Sequence, residues 1–272
     1  MTTSGKRGCR LAAAGKVVTG ASHIRANSEC QDALAICESG RGFVIAAVAD
    51  GHGSKACPHS GEGARIAADA AVKLLARIFG EGPEEAKFAL SANRDDRIPR
   101  QLELMWKEEV RARHAAQGRE TADGDALFTL YGTTVTAIGA MPGFAFLLKL
   151  GDGDILMVGE GGARPLLADA EKIGEDTESL CLGDAWKYVR THIVRHDAER
   201  PLMFIISTDG YSNCFSDSAG FHKAGEDIFG LWAEEGLGYI EESLENWLRR
   251  SSDAGSGDDI ALALVAQGLQ GS

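Results

Sequence analysis

The sequence predicts an α+β domain in which antiparallel sheets are packed by helices. Apolar segments of strand length come first, two helical patterns interrupt them, strands resume, and helices return late in the chain. This order lacks the regular alternation of strand and helix that builds a parallel, doubly wound sheet. We therefore expect neighbouring strands to run in opposite directions.

The first half of the chain contains three candidate strands and two candidate helices. "KVVTGAS" and "ALAI" have the length of short strands, and "GFVIAAVAD" is a continuous apolar run that suits a strand buried on both faces. A helix is predicted over 60–80, where apolar residues recur every three or four positions. A second helix is predicted over 98–117, where Leu102, Trp106 and Val110 share one face.

The second half returns to strands separated by glycine-rich turns and ends with helices and a last strand. The predicted strands are "TTVTAIGAM", "FAFLLKLGD", "DILMVGE", "PLMFIISTDG" and "DDIALALVAQ". Helices are expected over 222–234 and 237–250. The stretch 161–200 is poorly periodic, so we expect it to carry a surface loop.

Length and composition indicate one globular domain over residues 1–272, with a core of about 15–268. Hydrophobic residues make up 44% of the chain and charged residues 25%, which is ordinary for a folded protein. The net charge of -12 disfavours a nucleic-acid partner, because phosphates would be repelled. We expect a monomer.

Cysteine usage and hydropathy predict a cytoplasmic protein. The six cysteines form no Cys-x-x-Cys pair, so neither a zinc ribbon nor a disulfide framework is indicated, and reduced thiols are expected. No apolar run approaches the ~20 residues needed to cross a bilayer, and the N-terminal apolar run is too short and broken for a secretory signal. No membrane association is predicted.

Acidic residues recur at the ends of the apolar strands. Asp50, Asp152 and Asp209 each follow such a segment and precede a glycine, and the pair Asp258-Asp259 precedes the last strand. Buried carboxylates are costly unless they are paired or bind a metal, and converging ones repel each other. Oxygen ligands suit Mg²⁺ or Mn²⁺ rather than zinc. Each Asp-Gly alone is more typical of a turn, so spacing leaves both readings open.

Six motifs in order give the chain a family resemblance. They are "SECQDAL", "VADGHGS", "YGTTVTA", "LGDGDILMV", "ISTDGYSN" and "GSGDDIALALV". The chain resembles the metal-dependent protein phosphatases of type 2C over nearly its whole length, and "SHIRANSECQDA" is most similar to a bacterial branch. The resemblance implies two antiparallel sheets packed as a sandwich and flanked by helices, an α-β-β-α arrangement. It also implies hydrolysis of phosphoserine and phosphothreonine in a phosphoprotein substrate of a Ser/Thr kinase, and hence a role in signalling.

Carried over residue by residue, the resemblance implies a site for two Mg²⁺ or Mn²⁺ ions. Asp50 would bridge both ions, and the carbonyl of Gly51, where glycine permits a sharp turn, would assist one of them. Asp209 and Asp258 would hold the other ion. Asp32 would lie beside the cluster, acting through metal-bound water. Two such ions activate water for in-line attack on phosphate.

Two further site residues follow from the resemblance to bacterial members. Asp152 matches a position that helps Asp209 to hold a weaker third metal. His52 matches the general acid that protonates the leaving alkoxide, a role that an imidazole can fill near neutral pH. The alternative for His52 is a polar turn residue.

Several positions depart from the family pattern. Gln31 replaces the early Glu, so it brings no charge to the metals. Asn27 occupies the position of the phosphate-binding Arg, and Arg25 is near enough to substitute. Asp154 stands for the Arg of the Gly-Asp-Ser-Arg segment. Asp259 stands for the Asn of the final motif, and the assignment of Asp258 rather than Asp259 as the ligand rests on counting back from the last strand.

These departures keep two other functions open. A regulatory or binding module with the phosphatase fold but weak catalysis would agree with Gln31 and Asn27. A phosphoesterase acting on small molecules would use the same acids. The absence of a G-x-x-x-x-G-K-[ST] loop argues against nucleotide triphosphate chemistry.

Overall fold

Ten β-strands form two five-stranded sheets in the computed structural model, which describes residues 9–119, 124–167 and 178–269. Every neighbouring pair within each sheet is antiparallel. The first sheet contains, in spatial order, β1 (Cys9–Val18), β10 (Ile260–Leu269), β9 (Leu202–Ser207), β6 (Asp154–Gly159) and β7 (Gly162–Pro165). The second contains β2 (Asp32–Ser39), β3 (Phe43–Asp50), β4 (Val135–Met141), β5 (Phe144–Leu150) and β8 (Arg190–Arg195).

Helices connect the strands and cover the outer faces of the sheets. In the described part of the chain they are α1 (Ala21–Ala26), α2 (Ser60–Gly80), α3 (Pro83–Asn93), α4 (Arg97–Ala116), α5 (Asp125–Thr129), α6 (Asp209–Ser212) and α7 (Ser218–Ala254). A short 3₁₀ turn spans Ala185–Lys187. No helix in these ranges is both long and apolar enough to cross a bilayer.

The continuous apolar run of β3 divides its side chains between two cores. Alternate residues of a strand point to opposite faces of the sheet. Val44, Ala46 and Val48 face the core between the two sheets, where they meet residues of β9 and β10. Ile45, Ala47 and Ala49 belong to a second core, which the helices cover. Both faces of β3 are therefore shielded from water, which explains why polar and apolar residues do not alternate along this strand.

Helices on both outer faces complete the predicted α-β-β-α arrangement. On the second sheet, α2 and α4 bury their apolar faces, and the fully buried Trp106 of α4 donates its indole N–H to the carbonyl of Gly63 in α2 at 3.0 Å. On the first sheet, α7 buries Phe221, Ile240 and Leu244. The predictions of an α+β class and of a sandwich of antiparallel sheets are confirmed.

Some local boundaries differ from the sequence prediction. The strand predicted from "KVVTGAS" is wrong beyond Val18, because α1 begins at Ala21. The helix α3 was not predicted, since it contributes only Ala86 and Leu90 to the buried set and its periodicity is weak. The prediction of two late helices, over 222–234 and 237–250, is confirmed, because α7 is broken between them at Gly236, whose φ of 82° lies outside the helical region.

The stretch predicted as a surface loop contains regular structure at both ends. β7 begins at Gly162 and β8 runs from Arg190 to Arg195. Residues 168–177 of the predicted loop lie outside the described residues.

Candidate active site

A polar pocket of about 370 Å³ lies where the segments after β3, β5 and β9 meet those that precede β2 and β10. Its walls bring together side chains from positions as far apart as 23 and 259. None of the described lining residues is a lysine or an arginine. The lining residues are His23, Gln31, Asp50, Gly51, His52, Gly53, Ser54, Asp152, Asp209, Asp258 and Asp259.

The backbone of Asp50 is held by the neighbouring strand. The carbonyl of Asp50 accepts hydrogen bonds from the backbone N–H of Thr134 at 2.9 Å and from the hydroxyl of Thr133 at 2.7 Å. Its own N–H donates to the hydroxyl of Thr134 at 3.1 Å. The two threonines of "YGTTVTA" therefore fix Asp50 at the mouth of the pocket, a role that the motif alone did not reveal.

Asp32 lies behind Asp50 rather than in the pocket lining. The two residues are paired across the β2–β3 ladder, and Asp32 is buried. The hydroxyl of Thr208 donates to its Oδ2 at 2.6 Å. Burial raises the pKa of Asp32 to about 8; the hydrogen bond from the hydroxyl of Thr208 opposes this shift, and the negative charges of Asp259 and Asp258 add to it.

The other predicted carboxylates face Asp50 across the pocket. Asp209 begins α6, and its Oδ2 accepts a hydrogen bond from the amide of Asn213 at 3.0 Å. Burial, followed by the charges of Asp152 and Asp258, raises the pKa of Asp209 to about 6. The pKa of Asp50 is likewise well above its usual value, because the side chain is buried and because these acids, with Asp32, repel its charge.

The neighbours Asp258 and Asp259 have different surroundings. Asp259 is buried; its Oδ1 accepts from the N–H of Gly20 at 2.6 Å and its Oδ2 from the N–H of Gln31 at 2.7 Å. His23 Nδ1 lies 2.9 Å from the same Oδ2. The side chain of Asp258 is 52% exposed, and its negative charge raises the pKa values of Asp50 and Asp209. This difference favours Asp258 as a ligand and Asp259 as an anchor of the chain.

The ring of His52 lies in the pocket, two positions after Asp50. The backbone N–H of His52 donates to the carbonyl of Gly132 at 3.1 Å, and the ring passes so close that a Cβ on Gly132 would lie 2.7 Å from Cδ2. Burial lowers the pKa of His52, and the charge of Asp152 opposes that effect. Glycine at position 132 is thus what leaves room for the imidazole.

The predicted phosphate contacts are not brought to the pocket. Arg25 and Asn27 are exposed and are not among the residues that line it. Asn27 instead ends α1 in the left-handed conformation, with φ of 53°. His23, on the same helix, lines the pocket; sequence reasoning missed it, although it lies within the segment "SHIRANSECQDA". A phosphate contact by Arg25 or Asn27 stays a prediction.

The donor set of the pocket fits hard divalent cations. Its candidate ligands are carboxylate oxygens, which Mg²⁺ and Mn²⁺ prefer, and bound cations would relieve the repulsion that raises the pKa values of Asp50 and Asp209. Within the described ranges, however, no three side chains of His, Cys, Asp or Glu are already arranged as a metal-binding group. The acids share one pocket, but their side chains are not already arranged around a common metal position.

Similarity to known proteins identifies the family of this chain. A family model for protein phosphatase 2C matches residues 19–249. The chain belongs to the protein phosphatase 2C family. A search of curated proteins gives no match.

Solved structures share the fold of this family member at low sequence identity. A serine/threonine phosphatase of S. agalactiae is 18% identical with a TM-score of 0.57, over 94% of this chain and 98% of its own. The catalytic domain of the phosphatase PstP, solved with two manganese ions, is 15% identical with a TM-score of 0.57, over 96% and 99%. The phosphatase domain of SpoIIE from Bacillus subtilis is 14% identical with a TM-score of 0.52, over 98% and 96%.

Proposed function

We propose that this protein is a metal-dependent protein phosphatase that hydrolyses phosphoserine and phosphothreonine in the phosphoprotein substrates of a Ser/Thr kinase. The observation that carries the proposal is the gathering of Asp50, Asp152, Asp209 and Asp258 from four separate segments into one pocket beside His52. Membership of the protein phosphatase 2C family supports it. We further propose that the enzyme acts in the cytoplasm as a monomer.

Four residues would supply oxygen ligands to the two metal ions. Asp50 and the carbonyl of Gly51 come from the end of β3, Asp209 from the start of α6, and Asp258 from the segment before β10. Asp32 and Asp152 would support them, Asp152 with a third ion. When bound, Mg²⁺ or Mn²⁺ ions supply the neutralising charge and the acidified water that phosphate hydrolysis requires.

The side chains of the pocket would bind the metal ions, and His52 would donate a proton to the leaving group. Without cations, the carboxylates of the pocket would repel a phosphate dianion, so binding of the substrate depends on metal. His52 lies in the same pocket and would donate a proton to the leaving serine or threonine oxygen, a contribution typically worth ~10²–10⁴-fold. No Ser or Cys nucleophile is required.

Turnover of phosphopeptides and of p-nitrophenyl phosphate tests the proposal. We expect the purified protein to hydrolyse phosphoserine and phosphothreonine peptides with Mn²⁺ or Mg²⁺ and to lose activity with a chelator. Asp50→Ala and Asp209→Asn should abolish turnover, whereas Asp253→Asn, an exposed acid of α7, should not. Turnover that survives chelation, or that survives both substitutions in the pocket, would refute a metal-dependent phosphatase.

A weakly catalytic regulatory module is the second candidate, and a specific observation favours it. The described acids are not preassembled as a metal-binding group, and Gln31 brings no charge where the family has Glu. Metal binding measured by calorimetry without any turnover would support this candidate. Activity on small phosphoesters or nucleotides, without activity on phosphopeptides, would instead indicate a small-molecule phosphoesterase.

A further inference from the structure

A second cavity lies beside the acidic pocket and is not used by the chemistry at the phosphate. It has a volume of about 470 Å³ and opens between the strands β6 and β7 and the segment that joins α6 to α7. We name it the flanking pocket. Its walls include Ile155, Leu166, Asn213, Phe215, Ser218 and Phe221.

The flanking pocket and the acidic pocket share a wall that is one side chain thick. Asp209 lines the acidic pocket and Asn213 lines the flanking pocket, and their side chains are hydrogen-bonded at 3.0 Å. On the opposite side, Asp152 lines the first and Asp154 the second, with only Gly153 between them. Both pockets are open to solvent, so an extended molecule bound at Asp209 can pass over this wall into the flanking pocket.

The lining of the flanking pocket suits a large apolar group better than an anion. Phe221, Leu166 and Ile155 form a buried apolar floor, and the rings of Phe215 and Phe221 pack with centroids 5.8 Å apart. Charges of both signs complete the lining, including the carboxylates of Asp154 and Asp217 and the ammonium of Lys149. The two carboxylates disfavour a second phosphate.

The size of the cavity exceeds what the hydrolysed group requires. Ligand pockets that enclose most of a bound group have volumes of roughly 300–1,000 Å³. The phosphate and the β-carbon of a phosphoserine occupy the acidic pocket alone, so the additional volume is available to other parts of a substrate. An extended peptide advances about 3.3 Å per residue, so residues within two positions of the phosphoserine lie within about 7 Å of it along the chain.

We propose that the flanking pocket selects protein substrates that carry a large apolar residue within two positions of the phosphorylated serine or threonine. This inference rests on the proposed function, since it names the peptide sequence that the same site prefers. The occupant is a side chain of the substrate, such as leucine or phenylalanine, that packs on Phe215, Phe221 and Leu166. Small phosphoesters have no residue at these flanking positions.

A set of matched phosphopeptides tests the selection. Each peptide has a glycine and serine background and a single phenylalanine at one position, from two before to two after the phosphothreonine. We expect at least one of them to have a kcat/KM about tenfold above the background peptide, since even one methylene group in an apolar pocket is worth roughly 10–200-fold. The rate on p-nitrophenyl phosphate, which has no flanking residue, is the reference for each protein.

Two variants of the pocket and one control complete the test. Ser218→Trp fills the pocket from the start of α7 and should reduce the preference for phenylalanine to near unity. Leu166→Ala removes part of the floor and should weaken the preference several-fold. Ala219→Trp places the same bulk at the next residue, which is exposed and does not line the pocket, and should leave the preference intact.

The outcomes separate this inference from the proposed function. Failure to hydrolyse p-nitrophenyl phosphate and every phosphopeptide would refute the proposed function itself. Turnover of all peptides at equal rates, or an unchanged preference in both folded pocket variants, would refute the flanking pocket alone. If Ser218→Trp does not fold, as judged by circular dichroism, Leu166→Ala decides the question.

Discussion

Replacing Asp259 by alanine should destabilise the protein, whereas the same change at its neighbour Asp258 should affect metal binding instead. The carboxylate of Asp259 is buried and accepts backbone N–H groups of Gly20 and Gln31 at 2.6 and 2.7 Å. These bonds join the segment before β10 to the segments before α1 and β2. Removing the carboxylate leaves two N–H groups without their acceptor.

The magnitude follows from those two hydrogen bonds. A hydrogen bond to a charged group is worth about 1.5–3 kcal/mol, so Asp259→Ala should lower the free energy of unfolding by about 3 kcal/mol or more. For a chain of this size, that loss corresponds to a fall in Tm of roughly 6–12 °C. Asp258 is half exposed, and Asp258→Ala should change stability by less than about 0.5 kcal/mol.

Urea denaturation in the presence of a chelator measures the first effect, and the rise in Tm on adding Mn²⁺ measures the second. Asp258→Ala should show a smaller rise than the parent protein, whereas Asp259→Asn, which keeps one oxygen acceptor, should show a rise close to that of the parent. The assignment fails if Asp258→Ala is the less stable variant, or if Mn²⁺ stabilises it as strongly as it stabilises the parent.

Three further changes test the site from other directions. With metal chelated, the folded pKa of Asp32 is about 8 against 3.8 when unfolded, so the folded state holds the proton more tightly. The stability due to this group is therefore present below pH 3.8 and is lost as pH rises towards 8, by about 1.4 kcal/mol per pH unit; Asp32→Asn should flatten that slope in urea titrations between pH 5 and 8, and equal slopes would contradict the burial argument. Gly210→Ala should lower Tm sharply, because its Cβ would lie 2.0 Å from the carbonyl oxygen of Asp259. The control Gly230→Ala lies in open space on α7 and should not lower Tm; similar melting curves for both variants would show that the backbone at Gly210 can move apart. His52→Gln should slow phosphopeptide hydrolysis by ~10²–10⁴-fold and p-nitrophenyl phosphate hydrolysis far less, because nitrophenolate leaves without a proton; an equal loss on both substrates would exclude a role as general acid.

Local pattern was sufficient for most of the elements that carry the site. The apolar run that ends at Asp50 is β3, and the 3.6-residue periodicity over 60–80 is α2. Both depend on hydrophobicity repeated over neighbouring residues, which is a property of the sequence itself. The kink of α7 at Gly236 was also indicated, since two helices were predicted on either side of it.

The partners of the candidate ligands could not be predicted from any local pattern. Thr208 donates to Asp32 across 176 positions of the chain, and Asp259 binds the N–H of Gly20 across 239 positions. Such contacts depend on strand register and on the packing of one sheet on the other. The same holds for His23, whose position in the pocket depends on the packing of α1.

Local residue patterns specify the class of the fold and the acidic strand ends, because periodicity and turn chemistry act over a few residues. The tertiary structure selects which acids meet. It placed Asp50, Asp152, Asp209 and Asp258 around one pocket, buried Asp259 as an anchor, and left Arg25 and Asn27 at the surface. The reason is physical: a carboxylate acts as a ligand or as an anchor according to the groups within hydrogen-bonding distance, and folding alone brings those groups together.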